Sequence, residues 1–260
     1  EVCIRNLGRL AEPATLPVLM AELIDVLEGR GRQSVRSLKT ALSNFPLDEI
    51  DAFRDALQHS NRRVRFFATD IIRQIADRRS AGEVLSKNDF SPEMYRMFTE
   101  RLCEDDWGDV RARSALVIGH FRDTRSNALL QKLMQDEAWF VRLHACRAAA
   151  GKFFIAIAPA VAQRLADPQW LVREAAVRSL REMGEYGVEQ IYRVFMTSED
   201  LFSADQISEE IQRSGMLAEL LANVDTEERR RQAMIVIRRM VGLNKITMLL
   251  AFLMSPVQPD

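Results

Sequence analysis

Three segments of this chain superimpose at a fixed interval of 31 residues. Each begins with an aspartate, continues through a tryptophan and ends in Val-Arg; the segments are 105–111, 136–142 and 167–173. A fixed period between about 20 and 50 residues is the signature of a repeat protein, in which each unit stacks on its neighbours. This interval therefore constrains the architecture before any single helix is assigned.

Apolar residues follow a helical period throughout the chain. One stripe consists of Val64, Ala68, Ile71, Ile72 and Ile75, and similar stripes follow the other Val-Arg pairs. Such spacing places the apolar side chains on one face of an amphipathic helix. No stretch alternates with period two over the length of a strand, so the sequence predicts an all-α fold.

Each of these helices is followed by a break and by a second, leucine-rich helix, which predicts a repeating helix pair. We count eight pairs. Their first helices are predicted near 1–11, 32–45, 61–77, 109–121, 139–151, 170–183, 199–214 and 226–241. The second helix of the last pair would include Ile246, Leu249, Leu250 and Leu253.

The unit has an aspartate before Val-Arg, small residues in the middle of the first helix, a Gly or Asp-Pro break and a leucine-rich second helix. This pattern resembles the HEAT repeat, above all the bacterial HEAT_2 and phycobilisome-lyase-type repeats. Residues 7–17 are similar to the middle of one such repeat. The resemblance implies a right-handed α-solenoid of about eight helix pairs, an architecture that mostly serves as a binding scaffold.

Residues 1–260 are expected to form a single solenoid domain that contains one irregular insertion. Val64 and Val110 are 46 positions apart, about 15 more than the period, and the excess falls near 77–90. Because the chain starts at Glu1 and within a helical pattern, we expect it to be part of a longer polypeptide.

Aspartate and arginine keep a fixed register in the repeats. Each aspartate precedes an arginine by six residues, in the pairs Asp105 and Arg111, Asp136 and Arg142, and Asp167 and Arg173. We predict a structural ladder, in which each aspartate accepts hydrogen bonds from the start of a helix and from an arginine of an adjacent repeat. Binding of a ligand by these arginines is the alternative.

Tryptophan also recurs in this register, at Trp107, Trp139 and Trp170. We refer to these three residues as the repeat tryptophans. Tryptophan is a good wedge between packed repeats, and it is also enriched at the energetic centres of interfaces. They are therefore candidates for packing and for contact with a partner.

Residues that would support catalysis are scarce. The histidines are His59, His120 and His144, and the cysteines are Cys3, Cys103 and Cys146. None of the histidines is followed by glutamate, as in the His-Glu pairs of the HEAT-repeat di-iron hydroxylases, and the cysteines lack metal-ligand spacing. We predict no catalytic, cofactor-binding or metal-binding residue and no cofactor.

The leading hypothesis is a non-catalytic scaffold that binds a protein or peptide. A nucleic-acid-binding protein of the DNA glycosylase type is the alternative, and a net charge of -1 disfavours it. A chromophore lyase or isomerase is a third hypothesis, which the resemblance alone suggests. No run of 18 apolar residues and no signal peptide is visible, so we expect no membrane contact and a cytoplasmic location.

Overall fold

The computed structural model describes residues 2–245 and contains fifteen α-helices and no strand within them. The chain forms two compact units, Glu1–Ala149 and Ala150–Asp260, which we call the N-terminal and the C-terminal unit. In each unit the helices follow one another along the chain and are joined by turns and short 3₁₀ segments. The predicted all-α class of paired repeat helices is confirmed.

Nine α-helices form the N-terminal unit. They are α1 (Val2–Leu10), α2 (Leu16–Leu27), α3 (Val35–Leu42), α4 (Arg54–Leu57), α5 (Arg62–Ser80), α6 (Pro92–Arg96), α7 (Gly108–Ile118), α8 (Thr124–Leu133) and α9 (Trp139–Ala148). Side-chain caps start several of them, since Ser34 accepts from Ser37 N at 3.4 Å and Asn61 accepts from Arg63 N at 2.9 Å.

The first helices of successive pairs pack directly on one another, with α1 against α3, α5 against α7, and α7 against α9. Glycine permits the closest approaches. A Cβ added to Gly8 would lie 2.5 Å from Ala41 Cα, and one added to Gly119 would lie 2.8 Å from Ala148 O. The small residues noted in the sequence therefore set how closely adjacent first helices can pack.

The segment around 77–90 begins as helix and then becomes irregular. Helix α5 continues to Ser80, and a short 3₁₀ turn follows at Lys87–Asp89. Leu85 is fully buried, and Lys87 N donates to Phe121 O at 2.9 Å. The irregular residues therefore pack onto the end of α7.

Six α-helices form the C-terminal unit within the described residues. They are α10 (Ala158–Gln163), α11 (Trp170–Glu182), α12 (Glu185–Thr197), α13 (Leu201–Arg213), α14 (Met216–Ala222) and α15 (Glu227–Gly242). Gly184 (φ +82°) and Gly215 (φ +78°) make the turns before α12 and α14, in a left-handed region that other residues rarely adopt. Residues Ile246, Leu249, Leu250 and Leu253, which would form the last second helix, lie outside the described residues.

Candidate functional site

Arginines of the first helices hold aspartates of the following repeat. Arg111 Nε and Nη2 donate to Asp136 Oδ2 and Oδ1 at 2.7 and 2.9 Å. Arg65 Nε and Nη2 make the same contact with Asp105 at 2.6 and 2.9 Å. These are two-point, charge-assisted pairs, in which the planar guanidinium matches the carboxylate.

The arginine of each Val-Arg pair also donates a hydrogen bond to the turn that precedes its own helix, which we call the entry turn. Nη1 donates to the carbonyl six residues earlier in each case: Arg111 to Asp105 O at 2.8 Å, Arg142 to Asp136 O at 2.9 Å and Arg173 to Asp167 O at 2.9 Å. Arg65 does likewise with His59 O at 3.0 Å. The six-residue spacing of the sequence thus corresponds to an arginine that closes its own entry turn.

Each ladder aspartate also orders the turn at the start of its repeat. Asp105 Oδ1 accepts from Trp107 N at 2.9 Å, and Asp136 Oδ1 accepts from Ala138 N at 2.9 Å. Asp167 Oδ1 accepts from Gln169 N at 3.0 Å. The geometry is that of an Asx turn, which satisfies backbone donors that the helix cannot reach.

These contacts determine the ionisation of the aspartates. Burial alone would raise the pKa of Asp136, but the hydrogen bonds from Arg111 and from Ala138 N outweigh it, so the pKa lies below its usual value of 3.8. The pKa of Asp105 is lowered in the same way by Arg65 and Trp107 N against the effect of burial. Both carboxylates are therefore charged at neutral pH.

The pattern changes at Arg173 in the C-terminal unit. Arg173 Nε lies 3.8 Å from Glu210 Oε1, which is too far for a hydrogen bond. Glu210 is only 2% exposed, and Arg213 Nη1 donates to it at 3.1 Å. Burial raises the pKa of Glu210 despite the two arginines. A glutamate within α13 thus faces Arg173 where an entry-turn aspartate would continue the regular pattern.

Sequence analysis missed Arg65 as a partner of Asp105. The two residues are 40 positions apart because the longer spacing between Val64 and Val110 separates them. The Val-Arg pair at 64–65 was the available signal, since it marks the same helical position as in the later repeats. The excess residues lengthen the chain between the partners without preventing the contact.

Trp107 lies in an aromatic and cationic cluster of the N-terminal unit. Its ring lies 5.5 Å from that of Phe66, and the Arg62 guanidinium carbon lies 5.1 Å from its centroid. The Arg113 guanidinium lies 5.5 Å from the Phe66 ring. These separations fall within the range of cation–π attraction, and Trp107 is half-buried.

The other repeat tryptophans are more accessible. Trp139 is 37% exposed and packs edge-on against Phe140, with ring centroids 5.9 Å apart. Trp170, in the C-terminal unit, is 50% exposed, and the Arg213 guanidinium lies 5.7 Å from its ring. Both residues are the first residues of their helices, α9 and α11, so they occupy equivalent places in their repeats.

A buried polar cluster crosses the first helices of the N-terminal unit, and the sequence pattern did not indicate it. At its centre is Asp70, 4% exposed, which accepts from Arg73 Nε at 2.9 Å and Gln74 Nε2 at 3.0 Å and pairs with Lys39. Arg113 Nε lies 3.0 Å from Asp70 Oδ1 without hydrogen-bond alignment. Burial opposes ionisation, but Lys39 and Arg73 lower the pKa of Asp70.

His144 ends this cluster on α9. Its Nε2 lies 3.1 Å from Arg113 Nη1, and its Nδ1 is buried without a hydrogen-bond partner among residues 2–245. Burial, and then the charge of Arg113, lower its pKa from 6.5 to about 4. His144 is therefore neutral at pH 7 with Nε2 as the acceptor, and Arg113 occupies the nitrogen that could otherwise act on a substrate.

Histidine and cysteine side chains of the described residues do not gather into a candidate metal site. No set of three or more histidine, cysteine, aspartate or glutamate side chains among residues 2–245 could hold a metal ion. Cys103 is buried, and burial raises the pKa of its thiol to about 11, so it is not a thiolate nucleophile at neutral pH. His120 Nε2 lies 3.0 Å from Asp77 Oδ1, without a nucleophile in this contact.

The stacked helix pairs and the arginine contacts between successive repeats define a helical-repeat protein. Family models agree: one described as HEAT repeats matches residues 96–153, and one described as HEAT repeat matches residues 157–187. The chain therefore contains HEAT repeats within residues 96–187. Within the described residues, no helix is long and apolar enough to cross a bilayer.

Two solved structures that match in a comparison of structures share little sequence with this chain. An engineered protein from a structural genomics consortium is 17% identical, with 94% of this chain and 75% of that chain covered and a TM-score of 0.44. A designed armadillo repeat protein in complex with the peptide (KR)4 is 14% identical, with 86% and 98% covered and a TM-score of 0.41. A comparison with curated proteins gives no match.

Proposed function

We propose that this chain is a non-catalytic scaffold that binds a protein or peptide, and that the repeat tryptophans contact that partner. The observation that carries the proposal is the exposure of Trp139 and Trp170, at 37% and 50%, at the same place in their repeats. A tryptophan that serves only as a packing wedge would be covered by its neighbours. Large aromatic surfaces that stay accessible are characteristic of binding hot spots.

The surroundings of these rings support a binding role. Trp139 packs edge-on against Phe140, and the Arg213 guanidinium lies over the ring of Trp170. These contacts restrict the two rings, so the rings lose less freedom when a partner covers them. The ladder arginines are engaged by carboxylates and carbonyls of their own unit. They therefore serve the scaffold, and the accessible contact area comes from the tryptophans.

Capture from cells of the source organism tests this proposal. The wild-type chain is compared with Trp139→Ala, Trp170→Ala and the control Phe202→Ala, which removes an aromatic ring that is 66% exposed. Proteins retained by the wild type are then purified and their affinities measured. We expect each tryptophan variant to weaken binding at least tenfold, because hot-spot truncation costs about 2 kcal/mol or more, and Phe202→Ala to change it less than twofold.

Two results would contradict the proposal. One is a purified partner that binds the tryptophan variants as tightly as the wild type. The other is tight binding of duplex DNA in 0.15 M salt that is lost in Trp139→Ala or Trp170→Ala, with a steep dependence of affinity on salt. The second result would identify a nucleic-acid-binding protein instead.

A further inference from the structure

Three arginines line a cleft at the start of the N-terminal unit. The cleft has a volume of about 330 Å³, and its lining residues are Arg5, Arg9, Arg36, Ser37, Thr40, Ala41 and Asn44. Among residues 2–245, no aspartate or glutamate contributes to this lining. Arg5 and Arg9 lie on α1, and Arg36 lies on the facing helix α3.

The cleft exists because α1 and α3 approach each other closely. Gly8 faces Ala41 at a distance that leaves no room for a Cβ. Arg5 and Arg9 are four residues apart and share a helix face next to this contact. Arg36 projects from the other side, so the close approach brings three positive charges together at one surface.

These guanidinium groups differ from those of Arg65, Arg73 and Arg111 in the same unit, each of which pairs with a carboxylate. Arg5, Arg9 and Arg36 are exposed and have no ion pair with any of residues 2–245. Like charges at a spacing of four residues destabilise a helix slightly. The arrangement therefore lacks a stabilising role within the unit and suits an external anion.

Neutral hydrogen-bond donors also line the cleft, beside the three arginines. Asn44 Oδ1 accepts from Arg78 Nη1 at 3.3 Å, which leaves Asn44 Nδ2 available to donate into the cleft. The Ser37 hydroxyl is also part of the lining. An adjoining cleft of about 480 Å³ shares Asn44, and its lining includes Asp48 as well as Arg78 and Arg79.

We infer that this cleft binds an acidic peptide segment in extended conformation, with carboxylates at alternate positions. Arg5 and Arg9 are separated by about 6 Å along the helix axis. Alternate side chains of an extended peptide lie on one face about 6.7 Å apart, so two carboxylates can meet the two guanidinium groups as charge-assisted pairs. The inference rests on the proposed function and names the chemistry of one partner segment.

Fluorescence anisotropy with the full chain tests the inference in 50 mM salt. The probes are a labelled peptide of four Glu-Ala repeats, a spaced peptide of four Glu-Ala-Ala repeats, in which neighbouring glutamates face opposite sides of an extended chain, and a peptide of four Lys-Ala repeats. We expect the alternating acidic peptide to bind at least threefold more tightly than the spaced peptide. We expect no binding of the basic peptide.

Charge-matched variants locate the site. The triple variant Arg5→Gln, Arg9→Gln and Arg36→Gln should weaken binding at least tenfold, and Arg36→Gln alone at least threefold. The control triple variant is Arg63→Gln, Arg96→Gln and Arg147→Gln, at exposed arginines of the same unit. It should change the affinity for the peptide less than twofold. Trp139→Ala should keep the affinity for this peptide, which separates failure of this site from failure of the proposed tryptophan contact.

The inference is overturned by any of three results. The first is equal affinity of the wild type and of both cleft variants. The second is an equal loss of affinity in the control triple variant, which would mean that only the net charge of the protein matters. The third is a duplex oligonucleotide that binds more tightly than the acidic peptide and depends on the same three arginines, which would assign the cleft to nucleic acid.

Discussion

Arg111 donates two hydrogen bonds to the carboxylate of Asp136, from Nε at 2.7 Å and from Nη2 at 2.9 Å, while its Nη1 donates to Asp105 O. One side chain therefore joins the entry turns of two successive repeats. Arg111 and Asp136 are only 13% and 10% exposed, so water competes little for these bonds. The contact belongs to the class of buried pairs that are costly to break on one side only.

Arg111→Ala should lower the free energy of unfolding by about 2–4 kcal/mol, because Asp136 would keep a buried charge without its partner. Urea denaturation at pH 7 measures the change. The matched control is Arg125→Ala, which breaks a pair with Glu100 whose members are 47% and 52% exposed and should cost less than about 0.5 kcal/mol. A double-mutant cycle with Asp136→Ala should give a coupling above about 1 kcal/mol; a coupling near zero would contradict the ladder.

Arg142→Ala should lower the free energy of unfolding by about 1–3 kcal/mol, because it removes charge-assisted hydrogen bonds from a half-buried turn. Arg142 Nη1 donates to Asp136 O and Glu137 O at 2.9 and 3.1 Å. Arg142→Lys should recover only part of the loss, since one ammonium cannot reproduce the planar fork. Equal stability of the wild type and Arg142→Ala would show that this position contributes nothing.

His144 should make the stability of the protein depend on pH between about 4 and 6.5. Its pKa is about 4 in the folded state, owing to burial and then to Arg113, against 6.5 unfolded. The unfolded chain therefore binds the proton more readily, so stability is full above pH 6.5 and falls as the pH drops toward 4. We expect a contribution of the order of 2 kcal/mol.

Chemical denaturation at pH 7, 5.5 and 4 measures this slope, and His144→Gln should flatten it. Glutamine keeps an acceptor for Arg113 but does not titrate in this range. The groups near His144 include Arg73, Arg113, Arg147 and Asp70, which remain unchanged in the variant. An NMR titration that gives His144 a pKa near 6.5 would contradict the prediction.

Gly8→Ala should destabilise the N-terminal unit by about 1–3 kcal/mol, because the added methyl group meets Ala41 Cα at 2.5 Å and helix α1 must move. Gly82→Ala is the control, since its nearest new contact is 3.8 Å away. Thermal denaturation of both variants measures the effect. A melting temperature of Gly8→Ala at or above that of the wild type would mean that α1 adapts without cost.

The fold could be predicted from the sequence because its repeat period and helical stripes reflect local rules. Each of the eight predicted first helices corresponds to a helix of the structure, with ends that differ by a few residues at most positions. The period follows from the chain length of one helix pair, which successive repeats share. The eighth second helix falls outside the described residues.

Contacts between distant residues were harder to predict. The pairing of Arg65 with Asp105 spans 40 residues across a break in the period, so no fixed interval indicated it. The cluster around Asp70 combines residues from four helices, and its polar positions lie within apolar stripes. Which of the repeat tryptophans remain exposed depends on neighbours such as Phe140 and Arg213, which no local pattern specifies.

The arginine contacts between repeats of the N-terminal unit run in the same direction as its synthesis. Each arginine precedes in the chain the aspartate that it will hold, so Arg65 leaves the ribosome before Asp105 and Arg111 before Asp136. When Asp105 or Asp136 is synthesised, its arginine partner is therefore already present and can be bonded to its own entry turn. Folding from the N-terminus then buries neither carboxylate before its partner is available. Truncation is correspondingly asymmetric. Loss of the chain before Asp105 leaves the Asp105 carboxylate without Arg65, whereas loss of the chain after Arg111 leaves the Arg111 guanidinium with its hydrogen bond to Asp105 O.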